Sequence, residues 1–250
     1  MDAWRRLEIN GGQVRPVGNG QFCFSLPAGV SSYADAQIDD YGGRPRRRYP
    51  WRPGVTLRLK ARFSHSDNEL VGTAGFGFWN APFGDPTVPW PALPQAVWFF
   101  YGSPPTDLPL AAAGPGRGWF AATLDAGRWP ALALTPLALP VLLLNQVGRW
   151  RRRIWPWVQH HLGISFQPLD VEMPEWHDYR LEWRLNGCAF GVDGQIVHQT
   201  PHSPRGPLGF VCWLDNQALV ARADGRFRWQ TLPVPEAQWL EVADCMLMRE

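Results

Sequence analysis

The sequence predicts an all-β protein, a two-sheet antiparallel sandwich, and three observations carry that prediction. Several stretches alternate apolar and polar residues with the period of two of a half-buried strand. Leu181, Trp183 and Leu185 alternate with Glu182 and Arg184, and Val55, Leu57, Leu59, Ala61 and Phe63 surround Arg58, Lys60 and Arg62. Between such stretches stand Asn186-Gly187, Asp193-Gly194 and Asp224-Gly225, residue pairs that tolerate the positive φ of a hairpin turn. Finally, 25 Gly and 25 Pro suit many tight turns, and 15 Trp and 13 Phe among 250 residues are ample for a large two-sheet core.

The remaining elements follow in order. Trp4–Pro16 and Gln21–Leu26 read as opening strands, with Asn10-Gly11-Gly12 between the first segments. In the stretch from Ser32 to Asp40, Tyr33, Asp35 and Gln37 alternate with Ala34, Ala36 and Ile38. Tyr41–Pro53 holds five arginines and three prolines and is expected to be a solvated loop, because proline spacing forbids a central strand there. Gly72–Trp79 and Ala96–Tyr101 are apolar on both faces, the mark of central strands whose second face lines a cleft or lies under other structure. Cys188, Phe190 and Val192 form the return strand after Asn186-Gly187, and Leu208–Leu214 the strand after the His202–Pro207 loop. Gln217–Arg222 and Arg226–Gln230 pair about Asp224-Gly225. In the last strand, Trp239–Arg249, Leu240, Val242, Asp244, Met246 and Met248 share one side. No repeat or linker divides the chain, so residues 1–250 are expected to form one domain.

Composition narrows the function classes. A net charge of +2 does not point to a nucleic-acid partner. Cys23, Cys188, Cys212 and Cys245 are widely spaced, and the start of the chain shows no apolar export signal, so reduced thiols in the cytoplasm are expected. The six histidines lack metal-ligand spacing, and there is no Gly-x-Ser-x-Gly, phosphate loop or dinucleotide fingerprint. Asp39-Asp40 could join a calcium site of the sort many jelly rolls carry, but two acids are not a ligand set by themselves. No cofactor or metal is expected.

The stretch WHDYRLEW…AFGVDGQIV, beginning at Trp176, resembles the W-H-x-Y-x-x-x-W…F-x-V-D-G-x-x-V signature of concanavalin A-like jelly rolls, particularly the family 16 glycoside hydrolases. The resemblance implies a jelly roll over most of the chain. It also implies that the catalytic E-x-D-x-E motif belongs on the strand after the G-F-W-like segment, and the matching strand is Gln95–Gly102, QAVWFFYG. That strand has no carboxylate, whereas retaining glycosidases need two carboxyl groups about 5–5.5 Å apart. Asp85, Asp107, Asp125 and Asp215 lie near predicted strand ends, although Asp215-Asn216 also suits the start of a turn. The expectation is a non-catalytic binding protein whose aromatic cleft holds an apolar small molecule or a glycan. Its expected lining is Phe76, Phe78, Trp79, Trp98, Phe100 and Trp213, with Asp215 on the same face. The alternatives are a glycoside hydrolase with relocated carboxylates and another enzyme acting on an apolar small molecule.

Trp129–Gly163 is an insertion that a jelly roll does not need. Pro130, Pro136 and Pro140 break its first half, which argues against a membrane span. A helix is expected over residues 140–162, with Leu143, Val147, Trp150, Ile154 and Val158 along one stripe. Arg149, Arg151, Arg152 and Arg153 are placed towards the end of that helix, and Pro156 is expected to kink or stop it. Three roles stand open: part of the core, a lid over an apolar pocket, or an interfacial element that docks on an anionic membrane surface or on a partner. For the last two, Leu143, Val147, Trp150, Arg152 and Trp155 are the candidate residues.

Overall fold

The computed structural model describes residues 4–18, 20–83, 90–111 and 115–250. Strands β1 (Arg5–Ile9), β2 (Gln13–Gly18), β3 (Gln21–Leu26), β4 (Asp35–Asp39), β5 (Val55–Phe63), β6 (Thr73–Trp79), β7 (Gln95–Gly102) and β8 (Gly118–Asp125) lead into three helices, α1 (Trp129–Ala133), α2 (Ala138–Asn145) and α3 (Gly148–His161). Strands β9 (Ser165–Pro168), β10 (His177–Arg184), β11 (Gly187–Val192), β12 (Gln195–Thr200), β13 (Gly209–Asp215), β14 (Gln217–Ala221), β15 (Phe227–Thr231) and β16 (Gln238–Arg249) complete the chain.

Two seven-stranded antiparallel sheets form the sandwich, one ordered β1-β4-β13-β6-β7-β8-β9 and the other β12-β11-β10-β5-β16-β3-β2. Strands β14 and β15 pair as a separate hairpin. The opening segment from Trp4 to Pro16 is thus two strands in opposite sheets, because the chain reverses at Asn10 and Gly11, both at positive φ. Asp193 and Gly194, at φ 51° and 78°, close the β11–β12 hairpin that their sequence announces.

The period of two sends one face of each sheet into a common core. Leu57, Leu59, Ala61 and Phe63 of β5 meet Phe76, Phe78 and Phe99 there, with Trp183 and Phe190. Phe76 and Phe78 are fully buried between the sheets, so they do not belong to the cleft lining expected of them. The last strand is also corrected. A bulge between Ala243 and Met246, with Asp244 at φ 53°, shifts the alternation. Leu247 packs on the core, while Met246 and Met248 are left exposed.

The arginine-rich loop is less solvated than expected. Tyr41 and Tyr49 are buried, and Arg46 donates to the carbonyls of Asn80 at 2.8 Å and Ala81 at 2.6 Å. A 3₁₀ turn at Arg46–Arg48 presents it. The insertion differs more. Its expected single helix is broken at Val147, whose extended backbone (ψ 114°) precedes α3. Arg149–Arg153 therefore occupy the beginning of a helix rather than its end, and Pro156 lies inside α3 without stopping it. All four cysteines are free thiols.

Candidate functional site

The face of the first sheet turned away from the sandwich core gathers most of the chain's chemistry. Strand pairing aligns Gln37, Trp213, Gly75, Phe100 and Phe120 across five neighbouring strands of this sheet. Gly75 is required there, since a Cβ at that position would stand 2.8 Å from Cη2 of Trp213 and 2.3 Å from the Phe99 carbonyl oxygen. The Trp213 ring lies parallel to Trp79, 3° between planes at 6.2 Å, and Trp98 stands 5.9 Å away. Phe100 then stacks on Phe120 at 5.2 Å. Of the expected lining, the fold brings together Trp79, Trp98, Phe100 and Trp213, and places Asp215 at their edge.

This face is a second apolar core rather than an open cleft among the described residues. Leu108, Leu110, Ile164 and Leu219 close over it, leaving Trp98 8%, Phe100 7% and Trp213 7% exposed. The cover is fastened by α3. The Gln159 amide Nε2 donates to the carbonyls of Pro109, Leu110 and Ala111 at 3.0–3.1 Å, and Trp155 Nε1 donates to Pro109 at 3.3 Å. Trp155 therefore turns towards the protein and drops out of the docking set expected of it. Strand β7 presents Ala96, Trp98 and Phe100 to this face.

Polar groups cluster at one end. Asp35 and Asp215 are directly opposed on β4 and β13, and both are buried. Burial raises the Asp215 carboxyl to about 7, against hydrogen bonds from Gln217 and Thr73 that act the other way. The Asp35 carboxyl is pushed well above the ordinary range by burial first and by the Asp215 charge second. Burial of both carboxyls, and the like charge facing Asp35, thus favour their protonated forms. Asp215 Oδ1 is engaged by the chain itself, accepting from Thr73 N at 3.2 Å, Thr73 Oγ1 at 2.8 Å and Gln217 N at 3.0 Å. It pins the corner where β13 passes into β14. Asn216 adds to this by bonding Ala34, Ser32 and Leu232. Asp35 Oδ1, by contrast, has no hydrogen-bond partner among the described residues. Asp35 is the buried acid that reading the sequence missed. Its alternation with Ala34 and Ala36 put it on the outer face, but nothing local announced that the face would be covered.

The other acids stand apart. Asp125, raised by burial and bonded by Gln95 Nε2 at 2.6 Å, is at the opposite end of the sheet. Asp107 pairs with Arg222 at 3.0 Å, and Asp85 lies outside the described residues. Asp39 takes Arg5 at 2.6 Å together with Gln37, and Asp40 takes the Phe210 N–H at 2.8 Å. Donors thus occupy both members of the pair weighed for calcium. Among the described residues no group of three or more His, Cys, Asp or Glu side chains is placed to hold a metal ion.

The insertion forms the second candidate. At the end of α2, Asn145 Nδ2 donates to the Ala223 carbonyl at 3.0 Å and Gln146 Nε2 to the Asp224 carbonyl, so that side leans on the β14–β15 hairpin. The opposite stripe faces outward: Leu139 is 66%, Leu143 63% and Val147 52% exposed. Trp150 is 40% exposed and Arg149 lies 5.7 Å from its ring, while Arg152 and Arg153 are solvent-exposed. No helix is long and apolar enough to cross a membrane among the described residues.

No family model matches the chain, and no curated protein matches it. Solved structures do. One comes from work on human gut microbiota whose members express endo-acting O-glycanases that initiate mucin breakdown. It has a TM-score of 0.51 at 12% identity, covering 99% of this chain and 92% of that one. A β-glucanase of Bacillus licheniformis gives 0.49 at 11% identity, covering 99% and 92%. A laminarinase from Flavobacterium sp. UMI-01 gives 0.49 at 11% identity, covering 100% and 94%. The likeness is one of fold: this chain is a two-sheet jelly-roll sandwich.

Proposed function

We propose that this chain is a non-catalytic binding protein that docks on an anionic lipid surface through its helical insertion. The observation that carries the reading is the outward stripe Leu139–Leu143–Val147. Burying one such side chain is worth roughly 1.5–3 kcal/mol, and the fold leaves all three in water. What surrounds them fits an anionic bilayer. From Ala126 to Leu169 the chain has no acidic residue, while Arg149, Arg152 and Arg153 follow the stripe directly. Basic residues near an anionic leaflet contribute about 1 kcal/mol each, and tryptophans such as Trp150 sit at the headgroup level. The leaflet meant is the cytoplasmic one, the compartment expected for four free thiols. The jelly roll then serves as a rigid platform, with its aromatic face closed by the cover.

Co-sedimentation with vesicles tests this. Binding is expected to phosphatidylcholine vesicles containing phosphatidylglycerol and not to phosphatidylcholine alone, and to weaken as salt rises. Equal recovery in the supernatant from both kinds of vesicle refutes it.

A second reading, a glycoside hydrolase with relocated carboxylates, is favoured by the buried, directly opposed Asp35–Asp215 pair. It is the weaker one, because Asp215 already serves three donors of the chain and the aromatic face beside it is covered. Release of reducing sugar from a β-glucan, abolished in Asp35→Asn, would establish it.

A further inference from the structure

A groove of about 640 Å³ lies between Pro105, Asp107, Pro115 and Arg117, the end of β14 and the start of α3. Arg117, Arg151 and Arg222 line it, with Asp107 as the single acid among the described lining residues. We infer that this groove binds a phosphate monoester. Arg226 and Arg151 share Asp224, at 3.7 and 3.9 Å, and the Arg117 charge acts on Asp67, so four guanidinium groups face three carboxylates and leave a positive surplus for a phosphate. Guanidinium is also the side chain whose fork of donors fits phosphate oxygens.

The arginines are presented by fixed structure. The Asp107 backbone bridges to β14, its N–H donating to Leu219 O at 3.1 Å and its carbonyl accepting from Ala221 N at 2.9 Å. Its Oδ2 accepts from Arg222 Nε at 3.0 Å and its Oδ1 from Gly116 N at 3.3 Å. Arg222 is thereby held at Nε. Arg151 has only a loose partner, Asp224 Oδ2 at 3.9 Å. Arg117 makes no ion pair within 4 Å among the described residues. The start of α3 adds to the positive field, having neither an acidic residue in its first turn nor a side-chain cap. Pro105, Pro115 and Val220 supply apolar wall. A volume of this size exceeds what inorganic phosphate fills and suits a phosphate carried on a small organic body.

Glycerol 3-phosphate is the soluble probe and phosphatidic acid its lipid counterpart, both monoesters. Calorimetric titration at constant ionic strength is expected to show saturable binding of glycerol 3-phosphate. Arg117→Ala, at an exposed position with no ion pair to lose, should weaken it about tenfold, roughly 1.4 kcal/mol, with an unchanged thermal midpoint. Leu139→Ser/Leu143→Ser should leave it intact, which separates this groove from the docking stripe. If soluble binding is absent, a preference for phosphatidic acid over phosphatidylglycerol vesicles that Arg117→Ala removes assigns the monoester to a lipid. Absence of both forms of binding, or binding that Arg117→Ala leaves unchanged, overturns the inference.

Discussion

Asp215 stands directly across from Asp35 on neighbouring strands, both carboxyls buried on the covered face. A carboxyl at about 7 in the folded chain, against about 3.9 in an unfolded one, binds more protons folded than unfolded between those values. Its contribution to stability is therefore full below pH 4 and is lost as pH rises towards 7. Asp215→Asn keeps an oxygen for Thr73 and Gln217 while removing the buried charge. Chemical denaturation should find the variant more stable than wild type by roughly 2–4 kcal/mol at pH 8, with little difference at pH 4. A variant less stable at both pH values would show that the ionised carboxylate is needed.

Phe76 and Trp213 lie on opposite sides of the first sheet, yet both are buried. Truncating either to Ala should cost about 3–5 kcal/mol. For Phe76 this follows from its place between the sheets, and for Trp213 from the cover of Leu108, Leu110 and Ile164. Were the aromatic face an open ligand cleft, Trp213→Ala would leave the urea midpoint almost unmoved.

Gln159 is the latch of that cover. Replacing it with Ala removes the two N–H donors that the three carbonyls share, and a loss of about 1–2 kcal/mol is expected. The change should be local. Amide exchange should accelerate within residues 107–111 and at the end of α3 while β5 and β10 keep their protection. Uniform acceleration across the sandwich would show that the cover and the core unfold together.

Arginine in the first turn of α3 opposes the helix dipole, a placement worth roughly 0.3–1 kcal/mol in the wrong direction. Arg149→Glu should therefore raise the thermal stability slightly while lowering the affinity for anionic vesicles. Opposite signs for stability and binding are the mark of a charge kept for a partner. A fall in both would make Arg149 an ordinary structural residue.

Much of the sandwich was legible because its signals are local. Val55–Phe63 alternates cleanly, and Asn186-Gly187 and Asp193-Gly194 fit only tight turns, so β5, β10 and β11 fall where the pattern puts them. What stayed hidden depends on neighbours. In β6, Gly75 and Gly77 are silent about burial, so Phe76, Phe78 and Trp79 looked alike until the adjoining strands fixed which side is core. Strand β8, WFAAT at its centre, alternates nothing, because the sandwich covers one face and Leu108, Leu110 and Ile164 close over the other. The break in the insertion had one signal, Gly148, which follows Gln146-Val147 and opens α3. Without that break the arginines were placed at the wrong helix end.

Leu139 and Leu143 are four residues apart on one side of α2 and are among its most exposed side chains. The most direct measurement is flotation of wild type and Leu139→Ser/Leu143→Ser with phosphatidylglycerol-containing vesicles, beside thermal unfolding of both proteins. Surface substitutions of this kind change stability by only about 0.5 kcal/mol, so the two proteins should unfold alike while only wild type floats. If wild type fails to float, or if the variant floats equally, the docking account is contradicted.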